Sequence, residues 1–220
     1  MIRTILFDLD DTLYPRQAGI MSQIRTLMLE YMQTRLNLSM DDADELRRAY
    51  FEAYGTTMRG LQINHQIEPE EFLAYVHDIR LHEHITPNAE LEAVLATLPH
   101  DKVVFTNASR EHAERVLAQL GIERHFSRII DVRDMQFESK PQPGAYQRIC
   151  TLLDVSPEEC LLVEDNLRNL APAKALGMST VLVGSGGTDS ETVVADYVIP
   201  RIEDIATIPE LAAGFHAHQS

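Results

Sequence analysis

Short apolar runs recur along this chain at residues 4–7, 103–105, 128–130, 160–163, 180–183 and 197–199. Runs of that length bounded by turn residues predict buried strands, and apolar positions returning every three or four residues predict the helices between them. From residue 86 onward the alternation is regular. Helices are expected at 91–98, 111–120, 144–153 and 169–176, with Gly121 and Gly177 closing two of them. Strand following helix in this order predicts a parallel sheet covered on both faces, a doubly wound α/β fold. Residues 17–81 break the rhythm. Ile20, Ile24, Leu27, Met28 and Tyr31 form one helical stripe, 43–54 a second helix, and 70–80 a third that is entered at Pro69. Gly55, Gly60 and Asn64 punctuate the gap between the last two. The expected organisation is an α/β core of residues 1–15 and 84–220, with an all-helical unit of residues 16–83 inserted after the first strand.

Composition narrows the function. The formal net charge of −15 argues against nucleic acid or an anionic membrane as a partner. It also means that an anionic substrate must be drawn in by local positive charge. Cys150 and Cys160 are the only cysteines, too few for a disulfide framework, and read as reduced core thiols of a cytoplasmic protein. The N-terminal residues reach Asp8 before a signal-peptide apolar stretch could form, and no apolar run approaches membrane-spanning length.

The strand ends carry the chemistry. In a doubly wound sheet ligands bind outside the carboxyl ends of the strands. Three ends are polar here: Asp8 with Asp10, Thr106 with Asn107, and Glu164 with Asp165. Helix capping accounts for one acid at a strand end but not for three in Asp8-Leu9-Asp10-Asp11. Carboxylates gathered this closely need a cation or a retained proton, and oxygen-only donors suit Mg²⁺. The chain has three lysines. Lys102 and Lys174 read as surface residues, whereas Lys140 sits in Ser139-Lys140-Pro141-Gln142-Pro143, a loop stiffened by two prolines just before a helix. A lysine held there can neutralise a bound phosphate and a nucleophilic carboxylate together. Thr106 adds a hydroxyl, and the backbone N–H groups near Asn107 lead into a helix, a natural anion cradle. The set describes phosphoryl transfer, which depends on positioning and charge stabilisation.

Asp8-x-Asp10-x-Thr12, Thr106, Lys140 and Glu164-Asp165, in that order, resemble the four motifs of the haloacid dehalogenase superfamily, whose core is Rossmann-like. The likeness covers roughly residues 1–14 and 86–200, and the helical insertion resembles that superfamily's cap domain. The resemblance implies that Asp8 is the covalent nucleophile, forming an aspartyl-phosphate, and that Asp10 is the acid and then the base. It implies Mg²⁺ held by Asp8, the backbone carbonyl of Asp10 and Asp165, with Glu164 acting through water and Thr12 supporting the first motif. Thr106, Asn107 and Lys140 would bind the phosphoryl group. Dehalogenases of this superfamily attack carbon and lack the second aspartate, so Asp10 points to a phosphatase. Thr12-Leu13-Tyr14-Pro15 resembles the branch that includes pyrimidine 5′-nucleotidases, which suggests a nucleoside monophosphate. The Glu-Asp pair at 164–165 also suits phosphoglycolate phosphatase-like and β-phosphoglucomutase-like members. The expected partner is a small phosphorylated metabolite, and the protein a monomer or homodimer. A phosphomutase, and a phosphate-responsive regulatory protein on the same fold, are the competing readings.

Other features carry less. His82-Glu83-His84 reads as a polar loop, since residues two apart do not share a helical face. His216 and His218 read as a solvated tail, and Gly184-Ser185-Gly186-Gly187 as a turn without the lysine ending of a phosphate loop. Asp131, Arg133 and Asp134 follow a strand and are given no role. Tyr14, Arg16 and Arg110 are candidates for substrate contact.

Overall fold

The computed structural model describes residues 1–184 and 194–212. Six parallel strands form one sheet in the order β3-β2-β1-β4-β5-β6, with β1 (Thr4–Phe7), β2 (Asp101–Phe105), β3 (Arg128–Ile130), β4 (Cys160–Glu164), β5 (Ser179–Val183) and β6 (Tyr197–Ile199). β1 lies centrally, pairing Phe7 with Val104 on one side and with Val163 on the other. Successive strand residues point to opposite faces. Ile5, Phe7, Val104, Leu161 and Val163 therefore pack in one core cluster, and Leu6, Val103, Phe105 and Leu162 in the other. Both faces are apolar, which is why these strands read as continuous hydrophobic runs.

The helices of the α/β part follow the expected order. In chain order with the insertion they are α5 (Ala89–Thr97), α6 (Arg110–Leu120), α7 (Pro143–Leu153) and α8 (Leu167–Ala175). Between β1 and α5 lie α1 (Ile20–Leu36), α2 (Met40–Tyr54), α3 (Thr57–His65) and α4 (Pro69–Val76). Their apolar residues, among them Ile24, Met32, Leu61 and Phe72, join the cluster on one face of the sheet. Tyr31 and Phe72 meet edge to face at 5.2 Å.

Three expectations need correction. Residues 55–64 are not a punctuated gap, because α3 fills most of it, with Thr56 as N-cap accepting from Arg59 N–H. Gly60 is there for space: a Cβ on it would lie 2.2 Å from the ring of Tyr50. The helix expected to reach residue 80 stops at Val76. Arg115 from α6 takes the carbonyls of His77 and Ile79, so the chain beyond has other partners for its backbone. Lys102 is buried, not a surface residue; its ammonium donates to Leu98 O at 2.7 Å and His100 O at 2.9 Å, satisfying carbonyls beyond the end of α5. Lys174 is partly exposed and pairs with Asp196. The His82 segment is a short 3-10 turn, and His84 bonds Ala18 O. His216, His218 and most of the Gly184–187 run lie outside the described residues.

Candidate active site

The carboxyl ends of β1, β2 and β4 bring the predicted residues together, and Lys140 joins them from the loop before α7. Asp8 follows β1, with its N–H on Val163 O at 2.9 Å. Its Oδ1 accepts from Lys140 Nζ at 2.7 Å, and its Oδ2 from Thr12 Oγ1 at 2.9 Å. Lys140 is 1% exposed and also donates to Phe105 O and Glu164 Oε2, both at 2.8 Å. All three ammonium hydrogens thus have acceptors. Asn107 fixes the loop from behind, because its side-chain amide and the Lys140 backbone exchange two hydrogen bonds of 2.9 Å. Thr106 is buried; its oxygen accepts from Ala108 N–H at 3.0 Å, and its hydroxyl hydrogen remains to donate.

Two carboxylates, Asp8 and Glu164, take that ammonium, and a third, Asp165, lies beside them. Asp8, Glu164 and Asp165 each offer an oxygen within 4.8 Å of the others. Burial first, then the charge of Glu164, pushes Asp8 up to about 7. Burial and then, opposed by Lys140, the charge of Asp165 push Glu164 to about 7; burial and then the charge of Asp8 push Asp165 to about 6. Burial alone would depress Lys140, but the Asp8 and Glu164 carboxylates outweigh it and hold it above an ordinary lysine. A cluster with more buried anions than cations stabilises a further cation, and hard oxygen donors of this kind fit Mg²⁺.

Asp10 stands apart from this cluster. Its Oδ1 accepts from Tyr14 Oη at 2.5 Å and from His112 Nε2 at 2.9 Å. Burial would raise its pKa, yet the His112 ring and the Tyr14 hydroxyl more than offset that and hold Asp10 below the usual carboxylate range. Tyr14, a candidate for substrate contact, is buried and spent on Asp10, and its own pKa is raised by burial and the Asp10 charge. Arg16 reaches Asp11 at 3.3 Å and Asp165 at 3.7 Å. Arg110 is taken by Ile129 O and Asp134. Arg133 ties Glu70 of α4 to Glu111 and Asp131.

Sequence reasoning missed His112 and His77. His112 is the third residue of α6, whose N-cap is Ser109, so it sits in the first turn of the helix that leaves the site. That position was the available signal. His77 follows α4 and stacks on His112, with ring centroids 4.4 Å apart and an interplanar angle of 18°. A cleft of about 900 Å³ opens beside them, lined by Leu27, Tyr75, His77, Ser109, His112 and Arg115 among others.

A parallel sheet with acids, a threonine and a lysine at its strand ends is the architecture of a hydrolase family, and the comparisons agree. The haloacid dehalogenase-like hydrolase model matches residues 2–177, and the chain belongs to that family. Phosphatases are among its relatives. Phosphate metabolism protein 8 of Saccharomyces cerevisiae is 25% identical over 212 residues, 87% of this chain and 65% of that protein. Phosphoglycolate phosphatase of Chromobacterium violaceum is 32% identical over 112 residues, 51% of this chain and 50% of that one. The chain thus spans less than two thirds of the length of either relative. In fold it is similar to the L-2-haloacid dehalogenase of Xanthobacter autotrophicus, with a TM-score of 0.61 at 19% identity over 98% of this chain and 100% of that one.

Proposed function

We propose that this chain is a magnesium-dependent phosphomonoesterase that works through an aspartyl-phosphate on Asp8. The observation that carries the reading is Asp8 itself, a buried carboxylate held on one oxygen by Lys140 and on the other by Thr12. Asp8 attacks phosphorus, the bond from phosphorus to the leaving oxygen breaks, and Asp10 gives that oxygen a proton. Asp10 then takes a proton from the water that attacks the aspartyl-phosphate, which frees inorganic phosphate and restores Asp8. Lys140, the Thr106 hydroxyl and the backbone amide of Asn107 hold the phosphoryl oxygens, since the Asn107 side chain is committed to the Lys140 backbone. Asp8, the backbone carbonyl of Asp10 and Asp165 would hold Mg²⁺, with Glu164 acting through water while it anchors Lys140. The ion, when bound, would offset the negative charge of the carboxylates and the phosphoryl oxygens.

Residues 16–83 act as the cap over the crevice. In support, a Cβ on Gly55 would lie 2.9 Å from Lys140 O, and Arg168 of α8 donates to the carbonyls of Phe51 and Glu52. Asp10 favours phosphate ester over haloacid chemistry, because it places a second carboxylate two residues from Asp8, fixed on one oxygen by two donors, to serve the leaving oxygen. The substrate is a small phosphorylated metabolite, with nucleoside 5′-monophosphates first among those to try. The site of action is the cytoplasm, a reading supported by two free, buried cysteines. Among the described residues no helix is long and apolar enough to cross a membrane.

The test is hydrolysis of a panel of phosphomonoesters with Mg²⁺. Asp8→Asn should lose at least about 10³-fold in kcat, and EDTA should abolish turnover until Mg²⁺ is restored. An Asp8→Asn protein as fast as the parent would sink the reading, as would full activity in EDTA.

A further inference from the structure

Asp10 can serve a leaving oxygen only if its carboxyl group is aimed, since misplacement of about 1 Å in a reacting group can cost 10²-fold. Two donors aim it, and both take Oδ1. That leaves Oδ2 as the oxygen to carry the proton. Tyr14 is four residues along the chain and comes with the local turn, whereas His112 arrives from a different helix, 102 residues away. An ionised carboxylate only accepts, so His112 Nε2 carries the hydrogen in this bond.

The surroundings of His112 favour this task. Its side chain is fully buried, and among the described residues its Nδ1 has no partner. Among the described residues the ring makes one hydrogen bond, to Asp10. Ser109 accepts from His112 N–H at 3.3 Å, capping α6 and setting the backbone from which the ring projects. Side chains lean toward a helix N-terminus, which here is the strand-end crevice. The ring plane is set by the stacked His77, whose Nδ1 is in turn 3.0 Å from Ser109 Oγ. His77 comes from the helical insertion, so the aim of Asp10 is completed by a residue that the α/β core does not own.

We infer that His112 is a positioning residue for Asp10, with His77 and Ser109 holding its ring. The inference rests on the phosphatase reading above. It predicts a leaving-group signature. An alcohol needs Asp10's proton to depart, whereas p-nitrophenolate leaves without it, and kcat/KM reads the steps through phosphoryl transfer to Asp8.

The experiment compares glycerol 2-phosphate with p-nitrophenyl phosphate for the parent, His112→Phe and His112→Gln. Phenylalanine keeps the stack on His77 and removes the donor; glutamine restores an N–H close to Nε2. For His112→Phe, kcat/KM on the alkyl ester should fall about 100-fold, through kcat with KM little changed, and on the aryl ester less than about 10-fold. His112→Gln should recover at least about 10-fold of the alkyl loss. Equal losses on the two esters, a loss carried by KM, or a glutamine variant no better than phenylalanine would overturn the assignment. His112→Leu, which also lacks a donor, takes the place of His112→Phe if the latter does not fold. If the parent hydrolyses neither ester, or Asp8→Asn matches it, the phosphatase reading itself falls. If the parent is active and dependent on Asp8 while His112→Phe equals it on both esters, only the inference falls.

Discussion

The crevice has a lysine side and a histidine side, and the two aspartates of one strand end are divided between them. Asp8 faces Lys140, Glu164 and Asp165, where burial and neighbouring anions push its pKa up to about 7. Asp10, two residues on, faces Tyr14 and His112, which hold it below the ordinary range. The same side chain is thus driven in opposite directions by what other elements bring to it. The lysine side is over-supplied with negative charge, an arrangement that a cation would complete. The histidine side supplies donors and aims one oxygen. These shifts run opposite to the proposed roles, so Asp8 would need the cation to stay ionised for attack, and Asp10 would need the negative charge of a bound substrate to hold a proton.

The sharpest way to break this contrast is Lys140→Met. Removing the one ammonium leaves Asp8 and Glu164 buried without their partner, and losing half of a buried ion pair costs about 3–5 kcal/mol. Urea unfolding in EDTA at neutral pH should show a loss of that size, and added Mg²⁺ should recover part of it. An unchanged midpoint would mean that the lysine side is not held together by charge.

The histidine side should answer to acid instead. Burial drives His77 down to about 3, with the nearby His112 adding to it, so the folded protein holds it neutral. The unfolded chain binds that proton below about 6.5. His77's contribution is therefore fully present above pH 6.5 and is lost as pH falls toward 3, at about 1.4 kcal/mol per unit. Between pH 6.5 and 5 the loss is about 2 kcal/mol. His77→Gln should flatten this limb of the unfolding curve. A parent and variant with the same acid slope would show that His77 is protonated in the folded state.

The smallest effect is expected at the rim. Arg133 bridges the insertion to the core through Glu70, but Glu70 and Glu111 are largely exposed. Exposed ion pairs contribute about 1 kcal/mol or less. The third partner, the buried Asp131, keeps the N–H groups of Arg110, Arg133 and Asp134, so Arg133→Gln should shift the unfolding free energy by about that amount, and less in high salt. A larger loss would place much of the contact between insertion and core at this one arginine.

Much of this arrangement is written in local pattern. β1, β3 and β6 span the residues of their expected runs, and the other strands extend only a residue or two further, because a buried parallel strand must be apolar on both faces. Asp8, Asp10, Lys140, Glu164 and Asp165 are recognisable because strand-end acids and a proline-braced lysine have no packing task. What the chain order does not carry is who faces whom. Gly60 reads as a break and is a close approach of α2 and α3; Lys102 reads as surface and closes the end of α5. His112 and His77 look like ordinary polar residues on two helices 35 positions apart, and only the packing of α4 on the first turn of α6 stacks them beside Asp10. Hydrophobic period is a property of neighbours in sequence, so it predicts elements. The tertiary structure decided the partners of each titratable group, because hydrogen bonds and burial depend on neighbours in space.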